Sequence, residues 1–415
     1  MSAKQEIDWS TGKKCVLELE RTGVDYKNIL EFAPSPNGET LALITKEDSE
    51  FKLRQNDEVS ANGFEKLWQL RYLANGNVSA LAMNEDMWCM SINGESSENQ
   101  YPFAWNPIFS EDGESYALMI KKGMDYSLEL NGKAWESKFL AIRDHCISAD
   151  GQHLATTCQV NPLKSADIDT FFKGTYGVAV DDKVWENAFV GMWNPTFSSD
   201  ASRVACECRV TNSEYTIAVN GKAWNQLYPA VWQPCFRPGG YSVFAPVRTA
   251  GNWAVVKDGE LFWDTIYSQL WHLRFSNDGK QLAAVVSPTY GNWTIAVDDK
   301  PWTKTFKDMV QAPVFSDDGK RIAAIVKENN IWGIAVDGEV WPGEYEMVWN
   351  PVFSPSGAFV AAKVDEGGGY AMLVNGQPVL RGVDKLWDPV FNDDSSKILL
   401  RYIVDGSYFR EVREL

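Results

Sequence analysis

Histidine is scarce in this sequence, which has three histidines, His145, His153 and His272, among its 415 residues. Motifs of nucleophilic, nucleotide-binding and metal-dependent proteins are absent as well: there is no Gly-x-Ser-x-Gly, Walker-type glycine loop, His-Glu-x-x-His or EF-hand loop. A shared catalytic or metal site would need the three histidines to meet from distant parts of the chain. We therefore expect no catalytic residue, no metal site and no enzymatic activity. A hydrolase that uses one of these histidines is an alternative.

Long apolar runs are also missing. A membrane-spanning helix needs about 20 consecutive apolar residues, and no such run occurs. The N-terminal stretch, Met1 to Asp8, lacks the apolar segment of a secretory signal. These absences predict a cytoplasmic protein without a membrane span of its own.

Basic residues are outnumbered by acidic ones. The chain has 39 Lys and Arg against 56 Asp and Glu, a formal net charge of -17 and a sequence pI of about 4.7. Such a chain repels phosphates, which excludes nucleic acid as an expected partner. An acidic surface favours basic partners, although solubility alone would also explain it.

The seven cysteines lack the spacing of metal or haem sites. No Cys-x-x-Cys segment occurs, and Cys206 and Cys208 are separated by a single residue. Cys158 and Cys208 fall at one position of the repeat described next, where other copies have apolar residues. We expect them to be core residues, and we predict no cofactor.

The sequence contains instead a repeat built from two short sequence motifs, which we call the first and second phrase. An Asn-Pro-x-Phe-Ser-x-Asp-Gly phrase precedes an apolar run, and an aromatic-led Ile-Ala-Val-Asp-Gly phrase follows it, most clearly between Pro313 and Trp341. The anchor residue of the first phrase recurs every 37 to 40 residues, with one interval of 50. The ten anchors are Phe32, Tyr72, Phe109, Ile147, Phe197, Phe236, Phe275, Phe315, Phe353 and Phe391. A second, aromatic anchor follows 17 or 18 residues later in most copies, at Tyr126, Tyr215, Trp253, Trp293, Trp332, Tyr370 and Tyr408. A period near 40 with several short strands per unit is typical of β-propeller blades.

Each unit predicts four antiparallel strands, which make one blade. In the ninth unit the predicted strands are Trp349 to Ser354, Phe359 to Val364 and Tyr370 to Val374, and a fourth follows the Asn375-Gly376 hairpin. We therefore predict an all-β fold, a single β-propeller of about ten four-stranded blades. An eight-bladed ring and two five-bladed rings are the alternatives.

The predicted domains are an N-terminal arm, residues 1–13, and the propeller repeat domain, residues 14–415. The last unit has no fourth strand of its own. We predict that the strand-like segment Cys15 to Glu20 completes it and closes the ring, because both segments would otherwise have unpaired edges.

The turns distinguish the two ends of the strands. Tight Asp-Gly turns lie at one end, and loops of variable length lie at the other, where binding residues are more often found. The fourth unit carries an insertion there, residues 159–175. Its Lys164, Phe171, Phe172 and Lys173 are candidate partner-binding residues; alternatively the two phenylalanines fold back onto the scaffold.

Eighteen tryptophans are unusual for a chain of this length, and most fall at three fixed places in the repeat. The first place, four residues before the anchor, holds Trp68 and the six tryptophans that are candidate partner-binding residues: Trp105, Trp193, Trp232, Trp271, Trp349 and Trp387. There Asn28, Arg143 and Gln311 replace tryptophan. These indoles are expected to form a girdle at the entry of the inner strands, either as an aromatic platform for a ligand or as packing between blades.

The Phe-Ser-x-Asp-Gly phrase and the apolar strand after it resemble the repeats of WD-repeat-like propellers of the TolB type, over roughly residues 25 to 415. More narrowly, the tryptophan-rich, acidic chain resembles the tryptophan-rich D subunit of the Tmc transmembrane redox complex of sulfate-reducing bacteria. That resemblance implies a cytoplasmic accessory subunit, peripheral to the inner membrane, beside iron-sulfur and membrane subunits of an electron-transfer complex. It implies no cofactor in this chain.

The predicted function is therefore a non-catalytic scaffold that docks protein partners. A small-molecule or glycan-binding propeller that uses the tryptophan girdle is the second hypothesis, and the hydrolase is the third.

Overall fold

The computed structural model describes residues 6–162, 171 and 174–415. Within these residues the chain forms ten antiparallel sheets, which are the ten blades of one β-propeller ring. This confirms the predicted all-β propeller. It also excludes the eight-bladed ring and the two five-bladed rings.

Two compact units divide the chain. The first contains Met1–Lys138, Gly368–Met372 and Val379–Leu415, and so includes blades 1 to 3 and blade 10. The second contains Phe139–Gly367 and Leu373–Pro378, and so includes blades 4 to 8. Blade 9 has residues in both units.

Each blade is a meander whose four strand positions follow one another. The inner strands are Ile29–Pro34, Lys66–Tyr72, Phe103–Phe109, Ile142–Ile147, Gly191–Phe197, Cys235–Phe236 and Gln269–Phe275, and in blades 8 to 10 the pairs Met309–Val310 with Val314–Phe315, Met347–Val348 with Val352–Phe353, and Lys385–Leu386 with Val390–Phe391. The second strands are Leu41–Glu47, Val78–Asn84, Tyr116–Lys122, Leu154–Gln159, Val204–Arg209, Val243–Thr249, Leu282–Thr289, Ile322–Glu328, Val360–Asp365 and Lys397–Val404.

The two outer positions complete each blade. The third strands are Glu50–Gln55, Met87–Ile92, Asp125–Leu130, Tyr176–Val180, Tyr215–Val219, Asn252–Lys257, Asn292–Val297, Ile331–Val336, Tyr370–Val374 and Ser407–Glu414. The fourth strands are Glu58–Phe64, Glu95–Ser96, Lys133–Ala134, Lys183–Val184, Lys222–Ala223, Glu260–Leu261, Lys300–Pro301, Glu339–Val340 and Gln377–Val383, with Gly12–Glu18 serving blade 10. Two 3-10 turns, Leu19–Thr22 and Tyr26–Asn28, lead from that strand into blade 1.

The core lies between neighbouring blades. One cluster joins Ala283, Val285 and Ile295 of blade 7 to Ile322 and Ala324 of blade 8, and all five side chains are buried. Because both faces of a middle strand are covered, second strands are near-continuous apolar runs without polar alternation. This explains the small-apolar run that follows each first phrase.

The Ser-x-Asp-Gly phrase builds the turn between the first two strands. In blade 8 the Ser316 hydroxyl donates to Asp318 Oδ1 at 2.7 Å, and the main-chain N–H of Arg321 donates to Ser316 Oγ at 3.0 Å. Gly319 closes the turn with φ +70°, a left-handed conformation that glycine adopts without steric cost. The phrase recurs because this turn needs a hydroxyl, a carboxylate and a glycine at fixed spacing.

The tryptophans that end the second phrase pack against the next blade. A Cβ added to Gly338 would lie 3.4 Å from the Trp302 ring, because the hairpin of blade 8 rests on that indole. The same relation joins Gly221 to Trp185, Gly259 to Trp224 and Gly376 to Trp341. This group of tryptophans is therefore structural.

The N-terminal strand closes the ring, as predicted. Gly12–Glu18 pairs antiparallel with Ser407–Glu414, with Lys14 opposite Arg410. The strand begins three residues before the predicted Cys15 and ends at Glu18, because Leu19–Thr22 turns away from the sheet. Blade 10 also contacts the first turn of blade 1: Arg401 donates to the Ser35 carbonyl at 2.9 Å, and the Tyr408 hydroxyl donates to the Gly38 carbonyl at 3.1 Å.

Among the described residues, no helical segment has the length and apolar character needed to cross a lipid bilayer.

Candidate functional site

The tryptophans four residues before the anchors do not stand alone. Six of them pack on the aromatic residue that opens the third strand of the same blade, with ring centroids 4.6 to 6.5 Å apart. These aromatic pairs are Trp68–Trp88, Trp105–Tyr126, Trp193–Tyr215, Trp232–Trp253, Trp271–Trp293 and Trp387–Tyr408. The tryptophans four residues before the anchors and the aromatic residues near the start of the third strands therefore act together.

Strand register explains the pairing. In blade 3 Trp105 lies opposite Met119, and Lys121, two residues further along the second strand, lies opposite Tyr126. Residues two apart in a strand share one face of the sheet. The two aromatic rings thus meet diagonally across the second strand.

A β-bulge follows the tryptophan in several blades. The register shifts between Trp105 and Ile108, and the intervening Asn106 has φ +53°. Asn194, Gln69 and His272 occupy the same place with φ between +50° and +58°. A bulge bends the strand and redirects the side chains beside it, so it sets the orientation of each indole.

None of the six tryptophans predicted as partner-binding residues is buried. Trp232 is 45% exposed, and the other five are half-buried: Trp105, Trp193, Trp271, Trp349 and Trp387. The aromatic partners differ in burial: Trp88, Trp253 and Tyr408 are buried, whereas Tyr126, Tyr215 and Trp293 are half-buried. In the pairs Trp68–Trp88 and Trp232–Trp253 an exposed indole therefore lies against a buried one.

Where tryptophan is missing in blade 4, Arg143 takes its place. Its guanidinium carbon lies 4.0 Å from the centroid of the Tyr176 ring, and its Nη2 donates to the Tyr176 hydroxyl at 2.8 Å. The planar guanidinium can stack on an aromatic ring as an indole does. Arg143 therefore preserves the pair with different chemistry. Lys363 lies in a related way over Trp349, with Nζ 4.0 Å from the ring centroid.

The first unit carries a continuous aromatic run across blades 2 and 3. Trp88 lies between Trp68 and Phe103, and Phe103 in turn contacts Trp105 at a centroid distance of 5.3 Å. Trp68 is 37% exposed and Phe103 is 47% exposed. We call Trp68, Trp88, Phe103, Trp105 and Tyr126 the aromatic run.

Lysines border this run. Lys66 Nζ lies 5.8 Å from the Trp88 ring centroid, and Lys121 Nζ lies 4.8 Å from that of Tyr126. A lysine over an aromatic face is attracted by the negative face of the ring. The aromatic run thus combines exposed apolar area with local positive charge, although the chain as a whole is acidic.

The second unit contains a partly open cavity of about 630 Å³. Much of its wall comes from the inner strands of blades 5 and 7 and from the segment that leads into the inner strand of blade 6. Trp271, His272 and Arg274 belong to blade 7, and Trp232 to blade 6. Glu207, on the second strand of blade 5, also lines it. The cavity therefore unites two of the predicted tryptophans with a carboxyl group.

Glu207 is nearly buried, with 7% of its surface exposed. Its Oε1 accepts a hydrogen bond from the Asn194 amide at 2.7 Å, and the main-chain N–H of Asn194 donates to Asp144 Oδ2 at 3.1 Å. Burial raises the pKa of Glu207 to about 7, and the negative charge of Asp144 adds to the rise. The carboxyl therefore titrates near neutral pH.

The inserted segment of blade 4 is described only in part. Lys164, Phe172 and Lys173 lie outside the described residues. Phe171 is half-buried, and its carbonyl accepts a hydrogen bond from the Gly174 N–H at 3.3 Å. The partner-binding role of these four residues stays a prediction.

The histidines occupy separate places. His145 lies on the inner strand of blade 4 and His272 on that of blade 7. His153 Nδ1 lies 2.6 Å from Asp181 Oδ2, and this hydrogen bond raises the pKa of His153. Within the described part of the chain, no three His, Cys, Asp or Glu side chains are grouped so that they could hold a metal ion.

Sequence reasoning missed four residues of these surfaces: Trp88, Phe103, Arg143 and Glu207. Trp88 follows its anchor Tyr72 by 16 residues, close to the usual spacing, so a looser count would have placed it at the start of a third strand. Arg143 could be recognised in the sequence, because it replaces tryptophan at the position four residues before the anchor. Phe103 and Glu207 carry no signal in the repeat, because their importance depends on neighbouring blades.

Comparison with known proteins finds proteins of similar structure but none of similar sequence. No protein-family profile matches the chain, and no curated protein matches its sequence. A solved structure described as a eukaryotic initiation factor is 12% identical, with a TM-score of 0.48, covering 81% of this chain and 93% of the other. The Dos1 propeller is 12% identical, with a TM-score of 0.39 and coverages of 97% and 95%. TolB from Acinetobacter baumannii is 16% identical, with a TM-score of 0.28 and coverages of 58% and 59%.

Proposed function

We propose that the protein is a non-catalytic scaffold that docks protein partners through exposed aromatic side chains at the entry of its inner strands. The observation that carries this proposal is the aromatic run of blades 2 and 3, in which Trp68 and Phe103 are exposed beside covered aromatic rings. Tryptophan and other aromatic residues are enriched at the centres of protein interfaces, where they bury large area at low entropic cost.

The support beneath the exposed rings favours this role. Trp68 rests on Trp88 with ring centroids 4.6 Å apart, so its orientation is restricted before a partner arrives. Side chains already held in place lose less conformational entropy on binding than free ones. Lys66 and Lys121 at the border would favour a partner segment with acidic residues facing them.

A narrower role rests on the sequence resemblance alone. In it the chain is the accessory subunit of a membrane-bound electron-transfer complex, cytoplasmic and peripheral to the inner membrane, with iron-sulfur and membrane subunits as partners. The inserted segment, with Lys164, Phe171, Phe172 and Lys173, would be a second contact in that assembly.

Purification of the tagged chain from native membranes after mild cross-linking tests the proposal. Replacement of Trp68 and Phe103 by alanine should remove the co-purifying subunits, whereas Tyr241→Ala should retain them. Tyr241 is the matched control because it is 54% exposed but lies in the turn between the first and second strands of blade 6. Recovery of the wild-type chain alone, or equal recovery of subunits by all variants, would overturn the proposal.

A second set of substitutions tests whether the inserted segment of blade 4 contacts the partner. A double variant, Phe171→Ala with Phe172→Ala, should reduce the amount of co-purified partner if this segment contributes a contact. Unchanged recovery would remove the insertion from the interface and leave the aromatic run to be judged by its own variants.

A further inference from the structure

The partly open cavity of the second unit is lined by a buried acid, Glu207. Among the described residues Glu207 forms no ion pair with a Lys, Arg or His side chain, and Oε1 accepts its one described hydrogen bond, from the Asn194 amide. Its Oε2 has no described hydrogen-bond partner, and Glu207 lines the cavity. A carboxylate withdrawn from water without a positive partner is costly, so it attracts a positive charge.

Indoles supply the walls beside this acid. Trp232 lines the cavity and is 45% exposed, while its ring stacks on Trp253 with planes 9° apart. Trp271 lines the cavity as well and is packed on Trp293 with centroids 4.6 Å apart. Rigid indole faces attract cations, most strongly where water is excluded.

We infer that this cavity binds an organic monocation with a planar amidinium or guanidinium group, held by the carboxylate of Glu207 and by the faces of Trp232 and Trp271. A planar fork of N–H donors matches a carboxylate and stacks on an indole, which a compact ammonium does less well. The cavity, about 630 Å³ in volume, has the size usual for small-molecule sites. This inference concerns ligand recognition and is independent of the proposed docking surface.

The charged groups around Glu207 are compatible with such a ligand. Asp144, which accepts from the main chain of Asn194, adds negative charge on one side. His272 also lines the cavity, and desolvation lowers its pKa, which favours the neutral imidazole. The thiols of Cys206 and Cys208, on either side of Glu207 in the strand, are kept neutral because burial raises their pKa. Arg274 is a positive group of the lining, and it is exposed.

Calorimetric titration of the full chain with benzamidine, with neutral benzamide as the matched probe, tests the site. Benzamidine should bind and benzamide should not. Glu207→Gln should weaken benzamidine binding roughly tenfold or more, since the carboxylate then no longer favours the charged ligand. Trp232→Phe should weaken it as well, whereas Trp349→Phe, at the same repeat position outside this cavity, should not.

Proton release gives a second readout. Binding of a cation stabilises the ionised carboxylate, so the affinity should rise between about pH 6 and about pH 8, and protons should be released near neutral pH. In Glu207→Gln this dependence should disappear.

A peptide arm identifies the source of the cation. A Gly-Gly-Arg-Gly-Gly peptide that binds more tightly than benzamidine points to an arginine of a protein, and the reverse order points to a free small molecule. Either order of affinity supports the cation-binding site. Equal binding of benzamidine and benzamide, or no loss in Glu207→Gln and Trp232→Phe, overturns it.

Discussion

Trp232 stacks on Trp253 in blade 6, with ring centroids 5.4 Å apart and planes 9° apart. The first indole comes from the entry of the inner strand and is 45% exposed; the second opens the third strand and is 5% exposed. Two positions of the repeat, separated by about half of one repeat in sequence, thus form one structural element. The buried member supports the exposed one, and the two should respond differently to substitution.

Removal of the buried member should cost far more stability than removal of the exposed one. We expect Trp253→Ala to lower the free energy of unfolding by about 3–5 kcal/mol, as for other buried large aromatic residues. Trp232→Ala should cost only about 0.5–1.5 kcal/mol, mainly the ring–ring contact. Denaturant unfolding of both variants and of the double variant measures these values. Equal costs for the two single variants would contradict the supporting role of Trp253.

Arg143 should be replaceable by tryptophan. Arg143→Ala removes the guanidinium from Tyr176 and should cost about 1 kcal/mol, whereas Arg143→Trp should recover most of this loss by restoring the indole of the repeat. Thermal unfolding of the two variants provides the comparison. Arg143→Lys is the control, because lysine retains the charge without the planar group. If lysine equals arginine and tryptophan does not recover stability, charge and not stacking holds this position.

Two glycines of blade 3 separate backbone strain from close packing. Gly113 has φ +74°, and a Cβ there would lie 2.8 Å from the main-chain nitrogen of Ala74 in blade 2; Gly123 has φ +63° and no atom within 4 Å. Gly123→Ala should cost only the left-handed conformation, about 1–2 kcal/mol. Gly113→Ala should cost about 1–3 kcal/mol more, because the backbone of two turns must separate. Similar unfolding midpoints would show that the turns of adjacent blades are not in close contact.

Stability should depend on the charge of Glu207. Its pKa is raised from 4.5 in the unfolded chain to about 7 in the folded protein, so folding favours the protonated form. The associated stability is complete below pH 4.5 and is lost as the pH rises through about 7, a difference of about 3 kcal/mol as an order of magnitude.

Glu207→Gln isolates this contribution. The variant should be more stable than the wild type at about pH 8 and closely similar to it at about pH 4, because glutamine remains neutral throughout. Urea unfolding at several pH values measures the difference. A constant difference between the two proteins across this range would show that Glu207 is ionised normally in the folded state.

Much of the fold follows from the sequence because each anchor marks one structural position. The anchors end the inner strands in nine of the ten blades, as Phe109 and Phe197 do, and the second anchors Tyr215 and Tyr370 begin third strands. The phrase is repeated because the same turn geometry is needed in every blade. A strand from Trp349 to Ser354 was predicted, however, and the structure divides it into Met347–Val348 and Val352–Phe353. Pro351 lies in the gap, and proline has no N–H for the ladder.

The site was less accessible to sequence reasoning. The tryptophans four residues before the anchors could be recognised in the sequence. Their packing on Trp88, Trp253 and Trp293, however, depends on the register of the strands on either side of the second strand. Glu207 was read only as the residue between two cysteines. Its significance comes from burial beside Asp144 and Asn194, which belong to other strands. Contacts of this kind depend on packing between strands and blades, and no local pattern encodes them.

Hydroxyl-radical footprinting of the assembly isolated from native membranes, compared with the free chain, tests the docking scaffold most directly. We predict that oxidation of Trp68 and Phe103 falls in the assembly, while oxidation of Tyr241, which is 54% exposed in its turn, stays unchanged. Equal oxidation of Trp68 and Phe103 in the free and assembled states, or protection of Tyr241 alone, would contradict it.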